Sequence, residues 1–375
     1  MLGMGFIYDD WKKSHKIDVG QIISVVACIF GAYVCFLWAT LLGRIRARTK
    51  IRLYPLTFHP IFKERIWGGR ELEKLYGKKI LAGKVIGESW EISDRPGDES
   101  IVANGKFAGK SLRWLMENHT RELLGDAKPA SENRFPLLIK ILDAREKLSL
   151  QVHPPASKAA ELKGEPKTEM WFIAAAAPNA SLYVGLKRGV TRAEFEQKIS
   201  DGSVADCFHR IPVKAGDTMF LPSGRVHAIG DGLVIFEIQQ NSDTTYRVFD
   251  WNRTGLDGKP RDLHIAESLA SIDFNDFEPK LVETNFVADG KIQKRPLVND
   301  PLFNVEAWKL NSGANGWLKP KKLQIVAATS GKIEIKSGST SVNLAAGQFS
   351  LIPASLEQTE VLAKSDAALL RVEAN

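Results

Sequence analysis

The chain has 375 residues, 44% hydrophobic and 25% charged, an ordinary globular composition with length for about two domains. Its formal charge of +7 is not spread over the body: residues 1–52 carry eight Lys and Arg against three Asp, so +5 lies there, and no basic face for nucleic acid remains. Cys28 and Cys35 fall in one apolar run and Cys207 stands alone, which excludes a disulfide framework, and the body reads as cytosolic.

From Val19 to Gly43 the chain runs 25 residues without a charge, longer at 1.5 Å per residue than the ~30 Å hydrocarbon core of a bilayer. Arg44, Arg46, Arg48, Lys50 and Arg52 follow it, a bias that puts the N-terminus outside and the body in the cytoplasm. A cleaved signal peptide fits less well, because the start is long and partly acidic and no small-residue cleavage pattern ends the run. Two readings stay open beside this candidate transmembrane helix over 19–43: a start codon placed too far upstream, with the protein beginning near Leu53, and a buried helix of a soluble fold. Any membrane contact is expected through residues 19–43 only.

After Tyr54 the pattern is of short strand-like runs bounded by Gly, Pro, Asn and Asp: Gly87–Ser93, Pro136–Ala144, Ala215–Gly224 and Leu233–Gln240. Many short strands predict a sandwich or barrel. Helices are predicted over Ser111–Leu124, with Ser111 as cap, over the Ala-rich Pro155–Leu162, and over Thr191–Ile199, where Thr191 and Glu194 have capping-box spacing. Within this β body stand four potential metal donors: Gln151 and His153 in SLQVHPP, Glu169 in KTEMW, and His227 in PSGRVHAI. Gln151 and His153 are two apart, so on a strand both side chains leave the same face. An internal repeat is also visible. Gly216, Pro222, Gly224 and His227 are answered 131 positions later by Gly347, Pro353, Ser355 and Gln358. The second copy keeps the turn and loses the imidazole.

The first copy fits the second cupin motif, and Gln151, His153 and Glu169 stand where the first cupin motif supplies ligands. From Tyr54 onward the body resembles the type I phosphomannose isomerases of the short bacterial form, through YPLTFHPIFKERIWGGREL, IGESWEISDRPGDES, LSLQVHPP, KTEMWF, AGDTMFLPSGRVHAIG and EIQQNSDTTYRVFDWNR. The N-terminal extension is outside the family pattern, and Asp231 stands where some cupins have Asn. The resemblance implies a mainly β fold of two tandem cupin jelly-roll barrels with inserted helices: a catalytic zinc domain over 53–274 and a degenerate, metal-free cupin over 275–375. It implies an enzyme that interconverts mannose 6-phosphate and fructose 6-phosphate through an enediol, with one zinc per chain on Gln151, His153, Glu169 and His227. It also implies that Arg247 is the catalytic arginine, Glu237 a candidate base and Lys167 an active-site lysine, with Ser149 and Arg253 near the phosphate. Trp67, Gly68 and Gly69 are assigned to packing. Two competing readings, an iron cupin dioxygenase and a non-catalytic sugar-phosphate-binding cupin, leave the cations Lys167 and Arg247, or the intact donor set, without a use.

Overall fold

The computed structural model describes residues 27–38 and 52–375. The chain divides into two compact units, Met1–Arg52 and Leu53–Asn375. In the first, residues 27–38 are an exposed helix, about 18 Å long at the α-helical rise. Among the described residues no helix is long and apolar enough to cross a membrane, so the predicted spanning helix over 19–43 is unsupported. The remainder of that segment lies outside the described residues.

The second unit is built from β-sheets in two similar halves. In the first half a six-stranded sheet runs, in spatial order, Ile61–Gly69, Ile86–Ile92, Leu137–Ala144, Leu233–Gln240, Glu169–Ala176, Thr218–Leu221. A five-stranded sheet, Tyr246–Phe249, Leu150–Val152, His227–Ile229, Ser181–Leu186, Phe208–Pro212, faces it. The second half repeats the plan with a six-stranded sheet (Val287–Asp289, Ile292–Asn299, Phe303–Leu310, Ala367–Ala374, Gln324–Ser330, Phe349–Ile352) and a four-stranded one (Asn315–Trp317, Glu360–Ala363, Lys332–Ser337, Thr340–Ala345). The expected closed barrels are corrected by this pairing. Among the described residues the end strands of facing sheets do not hydrogen-bond to one another, so each half is an open sandwich.

Period-two burial on Leu233–Gln240 shows how the layers stack. Leu233 and Ile235 join Trp171, Ile173, Leu182, Val184 and Ile229 between the two sheets of the first half. Val234, Phe236 and Ile238 turn the other way and pack with Val305, Ile325, Leu370 and Val372 of the second half's large sheet. The two six-stranded sheets therefore lie back to back, and both faces of their central strands are dry. Helix Leu112–Leu124, capped by Ser111 accepting from the Trp114 N–H, buries Leu115, Met116 and Leu123 in the same shared core. Thr191 caps Arg192–Asp201 in the same way, as predicted.

The internal repeat is structural. Gly216 and Gly347 both have positive φ, of 90° and 77°, which a side chain would strain. Each donates its N–H at 2.8 Å across the neighbouring strand, Gly216 to the Ile173 carbonyl and Gly347 to that of Ala328. The same turn thus docks on the same strand position in both halves.

Candidate active site

The inward-facing side chains of the first sandwich change character along its length. Around Trp67, Trp171 and Ile173 they are apolar, while elsewhere on the same strands they are charged and buried: Glu88, Lys140, Glu169 and Glu237, with Lys167 beside them. Such burial is costly without partners.

Antiparallel register assembles the donor set. Gln151 sits opposite His227 on one side and opposite Arg247 on the other. His153 follows one residue beyond that strand, and Glu169 opens its own. His153, Glu169 and His227 are all buried and bring one ligand atom each to within 4.8 Å of one another. The Glu169 carboxylate lies 3.6 Å from His153 Nε2 and 3.5 Å from His227 Nε2. Both imidazoles donate Nδ1–H to backbone carbonyls, His153 to Thr244 at 2.8 Å and His227 to Arg225 at 2.9 Å. This fixes the tautomer that leaves each Nε2 lone pair facing the centre. Burial pushes the His153 imidazole down to about 3, with the Lys167 ammonium adding to the effect, and burial lowers His227 in the same direction. Both rings are therefore neutral, the state in which imidazole ligates a metal. Burial alone would raise Glu169, yet the Lys167 ammonium holds it well below the ordinary carboxylate range.

Both Glu169 oxygens are buried and accept no hydrogen bond, although the Lys167 ammonium stands 2.7 Å from one of them. A buried carboxylate beside the Lys167 ammonium, facing two aligned imidazole lone pairs, fits a divalent cation. Gln151 turns its amide Nε2 toward His227 Nε2 at 3.3 Å, while its Oε1 accepts from Ser149 Oγ at 3.3 Å. Ligation by Gln151 needs the amide to turn over so that its oxygen faces the ion.

Above this cluster opens a cavity of about 540 Å3. Ser149, Gln151, Lys167, Glu237 and Arg247, all expected from the sequence, line it together. Arg253 does not: its guanidinium is held by Asp250 at 2.9 Å, outside the wall. Seven charged residues beyond the sequence-derived set, acidic as well as basic, also line it, Glu88, Lys140 and Arg261 among them. For the first two the signal is a charged residue in the middle of an apolar strand, in GESWEIS and PLLIKILDA. Lys140 Nζ lies 3.6 Å from Glu88 and 3.5 Å from Glu237. Against burial, the two carboxylates raise the Lys140 ammonium, while Lys140 and Arg65 hold Glu88 down to about 2. Glu237 differs: burial and the neighbouring Glu169 push its carboxyl upward, and Trp171 Nε1 donates to it at 2.9 Å. Gly68 and Gly69 serve packing, since a Cβ on Gly68 would come within 2.4 Å of the Gly87 nitrogen.

Two neutral imidazoles and a carboxylate, reached from a charged cavity through Gln151 and Lys167, are the architecture of a metal-dependent enzyme acting on a small polar molecule. Residues 56–179 match the family model described as phosphomannose isomerase type I, catalytic domain. The chain is 36% identical over 300 residues, 80% of its length and 92% of the relative's, to a mannose-6-phosphate isomerase of Streptococcus mutans. It is also 36% identical over 304 residues, covering 80% and 93%, to a mannose-6-phosphate isomerase of Bacillus subtilis. The crystal structure of a Bacillus subtilis mannose 6-phosphate isomerase superposes with a TM-score of 0.78 at 32% identity, covering 85% of this chain and 99% of that one. The chain belongs to the type I phosphomannose isomerase family.

Proposed function

We propose that the protein interconverts mannose 6-phosphate and fructose 6-phosphate, with zinc on His153, Glu169, His227 and Gln151. The observation that carries this reading is the buried His153, Glu169 and His227 cluster beside a cavity that Gln151, Lys167, Glu237 and Arg247 line together. Two imidazoles, one carboxylate and one amide suit zinc, and open positions would remain for sugar oxygens. When bound, the ion supplies Lewis-acid polarisation of a sugar oxygen.

The chain's own groups supply the rest. Aldose–ketose exchange moves a proton between C1 and C2 through an enediol, which needs a base that can both take and return it. Glu237 suits this role: its carboxyl is raised by burial, and Trp171 fixes its orientation. Arg247 carries a permanent positive charge on the same wall and offsets negative charge developing on the substrate oxygen. Lys167 neutralises Glu169 and offers its remaining protons to the sugar. Ser149 Oγ, which donates to Gln151 Oε1, would accept from Gln151 Nε2 once the amide has turned over and so hold its oxygen toward the ion. In this reading residues 53–274 do the chemistry and 275–375 form a metal-free companion cupin.

The test is a coupled assay on the whole chain, comparing wild type with His227→Ala. Exchange between the two sugar phosphates that is lost in the variant supports the reading. A folded, metal-loaded wild type without exchange would overturn it.

A further inference from the structure

We infer that Arg261, oriented by Asp250, is the residue that grips the phosphoryl end of the substrate. The inference rests on the sugar-phosphate reading above and adds which residue recognises the anion.

Five cations line the cavity: Arg65, Lys140, Lys167, Arg247 and Arg261. The first three are committed to carboxylates at or beneath the wall. Arg65 donates to Glu88 at 2.8 Å, Lys140 lies between Glu88 and Glu237, and Lys167 pairs with Glu169 at 2.7 Å. The carboxylate that holds Arg261 is of another kind, because Asp250 is 5% exposed and does not line the cavity. Asp250 takes Nε and Nη2 of Arg261 at 2.7 and 2.6 Å in a bidentate fork. The remaining nitrogen, Nη1, has no carboxylate partner. Arg247 is in a similar state: Nη1 donates to the Asp262 carbonyl at 2.6 Å, while Nε is buried and has no partner.

The loop before Arg261 makes the placement firm. Thr254 and Pro260 bridge, the Gly255 N–H donates to the Lys259 carbonyl at 2.6 Å, and a Cβ on Gly255 would meet Arg261 Cγ at 3.5 Å. The turn therefore packs on the arginine's stem. Arg253 shares the same Asp250 oxygen, so two guanidiniums hold one buried carboxylate, and the nearby Asp257 and Asp262 are exposed. Arg261 Nη1 is left at this wall as a guanidinium donor without a carboxylate partner, although Asp243 and Asp257 line the same cavity. A dianionic phosphoryl group supplies the acceptor that Arg261 Nη1 lacks. Asp250 acts here as a positioning residue.

The experiment is calorimetric titration of the metal-loaded full chain with sorbitol 6-phosphate and with sorbitol, neither of which can be isomerised. The ratio of the two Kd values reads the phosphoryl contribution alone. Arg261→Ala is expected to cut that ratio by about 30-fold or more, with partial recovery in Arg261→Lys, while Arg253→Ala cuts it by less than about threefold. Asp250→Asn is expected to cut the ratio while leaving the sorbitol Kd in place; a merely structural role would weaken both ligands alike. An unchanged ratio in Arg261→Ala and Arg261→Lys, or a loss that follows Arg253→Ala instead, overturns the inference. Wild type that fails to turn over mannose 6-phosphate, yet loses the phosphoryl contribution in Arg261→Ala, would refute the isomerase reading and leave the subsite standing.

Discussion

The two sandwiches place charged groups at the same buried positions and use them in opposite ways. Register aligns Glu169 with Gln324, Glu237 with Arg371, Gln239 with Glu373 and Lys140 with Glu306. In the second sandwich Arg371, 1% exposed, spends its fork on Gln324 at 2.7 Å, Glu306 at 2.9 Å and Glu373, and the network is closed. In the first, Glu169 has the Lys167 ammonium beside it but faces two imidazole lone pairs, and Glu237, held by Trp171, is raised by burial at the cavity wall. A fold can thus neutralise its buried charges internally, which contributes rigidity, or leave donor atoms waiting for a ligand, which makes a site.

The comparison is broken most severely by giving the first sandwich the second's residue. Glu169→Gln is expected to remove the bound metal and lower turnover by about 10^3-fold or more, measured by metal analysis beside the coupled assay. Next comes Glu237→Gln, which keeps the shape and removes the base. We expect kcat to fall on the order of 10^3-fold with metal content intact, separating proton transfer from ligation. The mirror experiment in the other sandwich is Arg371→Met, which takes the guanidinium from Glu306 and Glu373 and leaves them only Trp308 and Lys319. Stability should drop by about 3 kcal/mol in denaturant unfolding, while turnover of the folded fraction is unchanged. If Arg371→Met instead left stability intact, the closed network would not be holding the second sandwich together.

The smallest effect is a pH dependence confined to the first sandwich. Burial raises the Asp143 carboxyl from 3.8 to about 6, although it accepts the Glu71 N–H at 2.7 Å. Because the folded pKa lies above the unfolded one, the folded state holds the extra proton between these values. This contribution to stability is present below pH 4, falls as pH rises toward 6, and is flat above. Asp143→Asn should flatten that slope in urea unfolding measured from pH 4 to 7.

Much of this contrast was legible in the chain. The strand runs, the capped helices and the Gly216/Gly347 repeat follow from local chemistry, and all lie where the sequence puts them. Gln151, His153, Glu169 and His227 were legible because ligand types at strand spacing are conspicuous. Arg261 was not, since it lies in a polar loop among other charges and only the Asp250 fork marks it out. Arg253 and Arg261 look equivalent in sequence; the pairing in space decides which of them reaches the cavity. The closure of the barrels was misjudged for a related reason. Strand patterning gives faces and core, whereas closure depends on hydrogen bonds between sheet edges far apart in sequence.

The central claim is that the first sandwich works through a metal held by its unsatisfied donors. Its most direct test is to strip the full-length protein with chelator and reload it with zinc, following mannose 6-phosphate turnover and bound metal together. The account predicts that turnover disappears on stripping and returns in proportion to zinc, saturating at about one equivalent per chain. Turnover that survives complete removal of metal would contradict it.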